Sequence, residues 1–123
     1  MKRLIIILLT IFSTLTICAT NKAEITFVAT TYDFGNIKEN GGNVSCYFEF
    51  ENSGSQPLIV ISAKTSCGCT KPEYPKKPIK KGERAKIKVT YLPKGRPGAF
   101  DKTIMIKTNA GTKYLRIKGY VIP

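Results

Sequence analysis

From residue 24 onward the sequence alternates. Val44, Cys46, Phe48 and Phe50 occupy one phase of a two-residue period, and Ser45, Tyr47, Glu49 and Glu51 occupy the other. Successive side chains of a strand point to opposite faces, so this pattern is a strand with one dry and one wet face. Wound as a helix, the same residues would scatter their apolar groups around the axis. Ala85, Ile87, Val89 and Tyr91 repeat the pattern against Arg84, Lys86, Lys88 and Thr90, and no stretch after residue 24 shows helical spacing. The expected fold class is all-β.

Turn signals cut that pattern into short strands. Asn52-Ser53-Gly54-Ser55 ends the first clear one. Pro57-Leu58-Ile59-Val60-Ile61 follows as a nearly continuous apolar run, which predicts a strand buried on both faces. Between residues 71 and 82, Pro72, Pro75 and Pro78 each remove a backbone donor, so that segment is a loop or a sheet edge. Pro93-Lys94-Gly95-Arg96-Pro97-Gly98 is a further turn cluster. Phe100, Ile104 and Ile106 then share a face, and Asn109-Ala110-Gly111 closes a hairpin into Leu115, Ile117, Gly119 and Val121. With a first strand over residues 25–33 the count reaches about seven, the pattern of an immunoglobulin-like antiparallel β-sandwich. A chain of 123 residues can bury the core of one such domain without staples.

The beginning of the chain is of a different kind. Lys2-Arg3 precede an apolar block over residues 4–12, which runs through Ser13, Thr14, Leu15, Thr16, Ile17, Cys18 and Ala19 into polar sequence. A charged region, a short apolar region and a small-residue exit make a secretory signal peptide. The expected organisation is a signal peptide over residues 1–19 and one domain over residues 20–123. A membrane anchor is a competing reading, although Ser and Thr dilute the second half of the uncharged stretch, residues 4–21. Leu15-Thr16-Ile17-Cys18 offers a third, a lipoprotein box with Cys18 as the lipidated residue, against which stands the bulky Ile17. The expected location is exported: the periplasm or cell envelope.

The formal charge of +12 is unevenly spread. Residues 20–63 hold two lysines against Glu24, Asp33, Glu39, Glu49 and Glu51, a net −3; residues 64–123 hold sixteen lysines and arginines against Glu73, Glu83 and Asp101, a net +13. A basic half fits anionic partners. For an exported chain these are lipid headgroups or acidic glycans, not nucleic acid. The plainer reading is a solvated lysine-rich surface that discourages pairing between strand edges.

Histidine is absent, which removes the commonest general base and metal ligand together. Asp33 and Asp101 read as turn or strand-end residues, and Glu49 and Glu51 share the wet face of one strand, so none is assigned catalysis. No glycine-rich phosphate loop or Gly-x-Ser-x-Gly elbow occurs. The expectation is a protein that is not an enzyme and needs no cofactor.

What chemistry remains lies in Thr65-Ser66-Cys67-Gly68-Cys69-Thr70-Lys71-Pro72. Positions two apart share a strand face, and Gly68 is free to take φ > 0 and fold Cys67 and Cys69 into a tight turn ahead of Pro72. The pair can be a disulfide, a dithiol or half of a soft-metal site. With residues 1–19 removed, Cys46, Cys67 and Cys69 remain, and an odd count leaves one free. Cys46, beside Phe48 and Phe50 on the dry face, is expected to be buried and inert. A Cys67–Cys69 bridge is then expected, in a short ring that is easily reduced; a bridge from Cys46 to either stays open. In a redox role, Lys64, Lys71, Lys76 and Lys77 would lower a thiol pKa. In a metal role, Cys67 and Cys69 favour copper as Cu(I), since tetrahedral zinc needs four ligands.

Five segments together carry a resemblance: Tyr32-Asp33-Phe34-Gly35-Asn36-Ile37, Phe50-Glu51-Asn52-Ser53-Gly54 with Pro57-Leu58-Ile59, Ser66-Cys67-Gly68-Cys69-Thr70, Lys80-Lys81-Gly82-Glu83, and Gly98-Ala99-Phe100. They resemble the secreted bacterial family known as domain of unknown function (DUF) 1573. The resemblance implies one immunoglobulin-like module in the cell envelope, without an established activity. Lys81 departs from it, standing where the family often has proline, and is expected to loosen that loop. The functional expectation is a non-enzymatic envelope module for interaction or structure, with a thiol redox or Cu(I)-binding protein as the alternative.

Overall fold

A computed structural model of the protein describes residues 21–123. The signal peptide expected over residues 1–19 and the lipidation considered for Cys18 lie outside the described residues.

Eight strands follow one another: β1 (Ile25–Phe27), β2 (Thr31–Lys38), β3 (Val44–Asn52), β4 (Val60–Thr65), β5 (Thr70–Glu73), β6 (Arg84–Tyr91), β7 (Gly98–Thr108) and β8 (Gly111–Ile122). They form two four-stranded sheets, ordered β1-β3-β6-β5 and β2-β8-β7-β4, with no helix among the described residues. The alternation sorts as expected. Cys46, Phe48, Phe50, Ile87, Val89 and Tyr91 of the first sheet join Phe100, Ile104, Ile106, Leu115, Ile117 and Val121 of the second in one buried cluster. Tyr91 stacks on Phe100 with ring centroids 3.9 Å apart, which fixes the sheets at that level.

Three features differ from the sequence expectation, each for a tertiary reason. The first strand is really two: the chain leaves the edge of one sheet after Phe27 and joins the edge of the other at Thr31. It does so without reversing, so β2 runs parallel to β8, from Thr31 opposite Arg116 to Lys38 opposite Ile122. The apolar run at residues 57–61 is buried on one face only; Leu58 and Val60 are buried, whereas Ile59 and Ile61 are 43% and 51% exposed. β4 is an edge strand of a two-layer fold, and no third layer covers its outer side. Lys81 does not open its loop, since the Glu83 N–H donates to the Lys80 carbonyl at 2.9 Å and the Lys80 N–H to the Glu83 carboxylate at 2.9 Å. The proline-rich segment supplies β5, with Pro72 within it, as the edge strand of the first sheet.

Register also redistributes the charge. β3 carries acids and β6 carries bases, and pairing sets Glu49 opposite Lys86 and Glu51 opposite Arg84. Ion pairs join Arg84 to Glu49 at 3.4 Å and Lys88 to Glu73 at 4.0 Å. Such exposed pairs add little stability, but they mix the signs on that face. Two acids of the acidic half thus lie beside bases of the basic half on this sheet.

The end of the sandwich where β3 stops is organised by Asn52, which is fully buried. Its Nδ2 donates to the carbonyls of Gln56 (2.8 Å) and Ile79 (2.9 Å), and its Oδ1 accepts the Gly54 N–H at 3.0 Å. Main-chain bonds join Asn52 to Glu83 and Gly82, and Leu58 to Ile79 in both directions at 2.8 Å. One side chain therefore ties the loop after β3 to the loop before β6.

Candidate functional site

β4 ends in the second sheet with Thr65 opposite Ile104, and β5 begins in the first with Thr70 opposite Tyr91. Residues 66–69 carry the chain between the sheets. Here Cys67 and Cys69 stand with Cα atoms 5.2 Å apart and sulfurs at disulfide distance. Cys69 is fully buried, Cys67 is partly buried, and Ser66 and Gly68 are exposed. The crossover therefore presents its glycine outward and keeps its sulfur inward.

The main chain of the turn is satisfied locally. The Cys67 N–H donates to Thr65 Oγ1 (3.4 Å), the Cys69 N–H to Cys67 Sγ (3.3 Å), and the Thr70 N–H to the Cys67 carbonyl (3.3 Å). Leu92 donates its N–H to the Cys69 carbonyl at 2.8 Å, fastening the turn to the end of β6. Gly68 does not adopt φ > 0, and a Cβ placed on it meets nothing within 4 Å. The freedom of glycine expected to fold the pair is therefore not used; the adjoining strands fix the bend.

Cys46 lies on β3 opposite Val89, is buried and is free. Burial pushes its thiol up to about 11, because a thiolate there would lose its hydration. Neither Cys67 nor Cys69 bridges to it. Pro72 sits opposite the same Val89 from β5, partly buried, so it continues the edge strand as well as shaping the loop beyond. Of the lysines expected near the thiols, Lys64 and Lys71 belong to the strands that enter and leave the turn. Lys76 and Lys77 are elsewhere. Lys76 lies 3.5 Å over the Tyr74 ring, and the loop that holds both docks through Ile79 on Leu58.

Among the described residues, three of the four carboxylates weighed for chemistry, all but Glu51, have a partner. Asp33 accepts the Gly35 N–H at 2.8 Å, and Glu49 meets Arg84. Asp101 lies within β7 instead of at a strand end; the Arg116 guanidinium hydrogen-bonds it through Nε (2.6 Å) and Nη2, holding its carboxyl below the usual range. Among the described residues no group of three or more cysteine, aspartate or glutamate side chains gathers as a metal set. Asn52 is the residue that sequence reasoning passed over, treating it as turn punctuation; the signal was its Asn-x-Gly spacing.

The Cys46 environment predicts a pH effect. Above its ordinary value of 9.0 the thiol ionises in the unfolded chain but stays neutral in the folded one up to about 11. The unfolded state then binds fewer protons, so stability falls across this window by about 1.4 kcal/mol per pH unit, and the contribution is intact below it. Denaturant unfolding of the native chain and of Cys46→Val should diverge by on the order of 2–3 kcal/mol between neutral pH and pH near 11. Parallel pH dependences would mean that the thiol is hydrated. Tyr91, raised by burial, adds a fall of the same sign to both chains and cancels in the comparison.

Comparison with known proteins fits this geometry. The family model described as "Protein of unknown function (DUF1573)" matches residues 25–121. No curated protein matches the chain. Among solved structures it is similar to a protein of unknown function from Porphyromonas gingivalis W83, with a TM-score of 0.71 and 17% identity over 85% of this chain. The match covers 50% of that protein, so the chain spans half its length. It is also similar to the ASH / PapD-like domain 7 of human CEP192, with a TM-score of 0.66 and 14% identity over 83% of this chain and 86% of that one. WR4, a member of the C. elegans MSP family, gives 0.52 and 15% identity over 80% and 97%. At these identities the likeness is one of fold.

Proposed function

This chain belongs to the DUF1573 family of proteins of unknown function, and from that premise we propose that it is a non-enzymatic interaction module of the cell envelope whose Cys67-Gly68-Cys69 turn braces a partner-facing loop. The observation that carries the proposal is the division of labour within the turn: the paired sulfurs lie at disulfide distance with Cys69 buried, while Ser66 and Gly68 are exposed. Cys69, shut in the core, is poorly placed to be attacked by an incoming thiolate, which confines thiol exchange to the partly buried Cys67. A brace needs only the bond. Oxidised cysteines also suit an exported chain better than a cytoplasmic one, which supports placement in the periplasm or envelope.

The test compares the oxidised chain, the reduced chain and the Cys67→Ser/Cys69→Ser variant. For a brace, reduction lowers the melting temperature and weakens capture of envelope partners, with no turnover of a low-molecular-weight disulfide. Catalytic reduction of that disulfide by the dithiol would replace this reading with a redox function, and one Cu(I) bound per chain would replace it with copper handling. Cys46, buried and shifted up, should stay silent in each assay.

A further inference from the structure

The two ends of the sandwich differ, and the chain enters at one of them. Lys22 accepts the Ser55 N–H on its carbonyl at 2.9 Å, and Asn52 joins Gln56 to Ile79, so the start of the described chain, the loop after β3 and the loop before β6 meet at one end. The β7–β8 hairpin is there too, with Asn109 Nδ2 donating to the Pro57 carbonyl at 3.0 Å. This end displays Lys22, Lys76, Lys77, Lys80 and Lys81, all exposed and none with its ammonium within 4.0 Å of an acid. Only Ile79 within the loop is buried, which anchors the lysines on the surface. Glu24, Glu73 and Glu83 are the acids nearest in sequence; Glu73 pairs with Lys88, and the Glu83 carboxylate accepts the Lys80 N–H. The Cys67-Gly68-Cys69 turn lies toward the other end, fastened to Leu92 after β6.

We infer that the end at which the chain enters docks on an anionic lipid bilayer, and that the cysteine turn is thereby displayed away from the membrane. This rests on the reading of the chain as an exported envelope module. The occupant follows from two facts. Immediately before Asn21 stands the uncharged, apolar-rich stretch that begins at Leu4, so whatever part of it is retained, or a lipid on Cys18, meets the bilayer at this same end. The unpaired lysines gathered here complement an anionic surface, to which each contributes about tenfold or less in affinity. A weak apolar tether and a polybasic patch are together the two signals that stable membrane attachment takes. The 6 residues of β4 and the 8 of β6 separate the turn from this end, a distance of about 20–25 Å, so it is held off the headgroups.

The full chain is mixed with phosphatidylcholine vesicles, with and without phosphatidylglycerol, and bound protein is measured by flotation. Phosphatidylglycerol should raise binding by about tenfold or more, and salt should remove the gain by screening. The variant with Lys76, Lys77, Lys80 and Lys81 each changed to Gln should bind phosphatidylcholine like the native chain and lose most of that gain. A charge-matched variant at the other end, with Lys38, Lys71, Lys94 and Arg96 each changed to Gln, should keep it. Melting temperatures near native confirm that both variants fold, as expected for exposed side chains. The inference is overturned if the native chain shows no gain, if the two variants lose it equally, or if an acidic polysaccharide engages the same lysines while phosphatidylglycerol does not. Cell fractionation tests export separately: a cytoplasmic chain with the lipid response intact would sink the proposed location and leave the surface standing.

Discussion

Replacing Asn52 with alanine is expected to destabilise the domain by about 2–4 kcal/mol, since it takes a hydrogen bond from each of three main-chain groups, only one of them at a fully buried site, and an unsatisfied group costs roughly 1–3 kcal/mol. The Gln56 carbonyl loses its donor, the Ile79 carbonyl keeps only the Leu58 N–H, and the Gly54 N–H loses its acceptor. Marginal domains hold about 5–15 kcal/mol in all, so this is a large share. For a domain near 100 residues it corresponds to a fall in melting temperature of roughly 10–25 °C. Asn52→Asp keeps the shape but turns a two-proton donor toward two carbonyls into an acceptor. It should be at least as damaging at neutral pH and recover partly in acid, where the carboxyl carries a proton to donate. Thermal unfolding of the two variants checks this; a loss below about 1 kcal/mol in Asn52→Ala would mean that water replaces the side chain, against its full burial.

Gly54→Ala and Gly68→Ala are expected to behave oppositely, although both glycines stand in turns. A Cβ on Gly54 would collide with backbone of Lys22, Ala23 and Glu24, and backbone cannot swing aside as a side-chain tip can. The segment leading into β1 has to move, at the expense of the bonds from Ser53 to Glu24 and from Ser55 to Lys22. Overpacking of this kind costs about 1–3 kcal/mol before any such bond is lost. Gly68→Ala meets open space without positive φ and should change stability by no more than about 0.5 kcal/mol. Hydrogen exchange adds detail to unfolding measurements: Gly54→Ala should raise exchange at Ser53, Ser55 and the β1 amides that pair with β3, while β7 and β8 stay protected. Equal losses in the two variants would show that the turn at residue 68 is tighter than its geometry.

The sequence by itself determined the class of fold and the placement of most core residues. Period-two alternation is a relation between neighbours, so Cys46, Phe48, Phe50, Ile87, Val89 and Tyr91 were legible as a buried set before any pairing was known. Proline carries its consequence in its own ring, which is why the segment after the cysteines could be read as an edge. Short-range chemistry likewise favoured the Cys67–Cys69 pair.

Tertiary structure decided whatever depended on a second element. Ile59 and Ile61 have the composition of buried residues and lie exposed because β4 is an edge without a covering layer. Residues 25–38 became two strands in different sheets, giving a parallel pair that no local pattern announces. Asn52 and Gly54 look like ordinary turn residues; their weight comes from Ile79 and Lys22, far away along the chain. Lys76 and Lys77 read as neighbours of the thiols, and the fold instead gathers them with Lys80 and Lys81 beside the point where the chain enters. The physical reason is common to all four: burial, close approach and charge clustering are properties of pairs of segments, and only folding brings those pairs together.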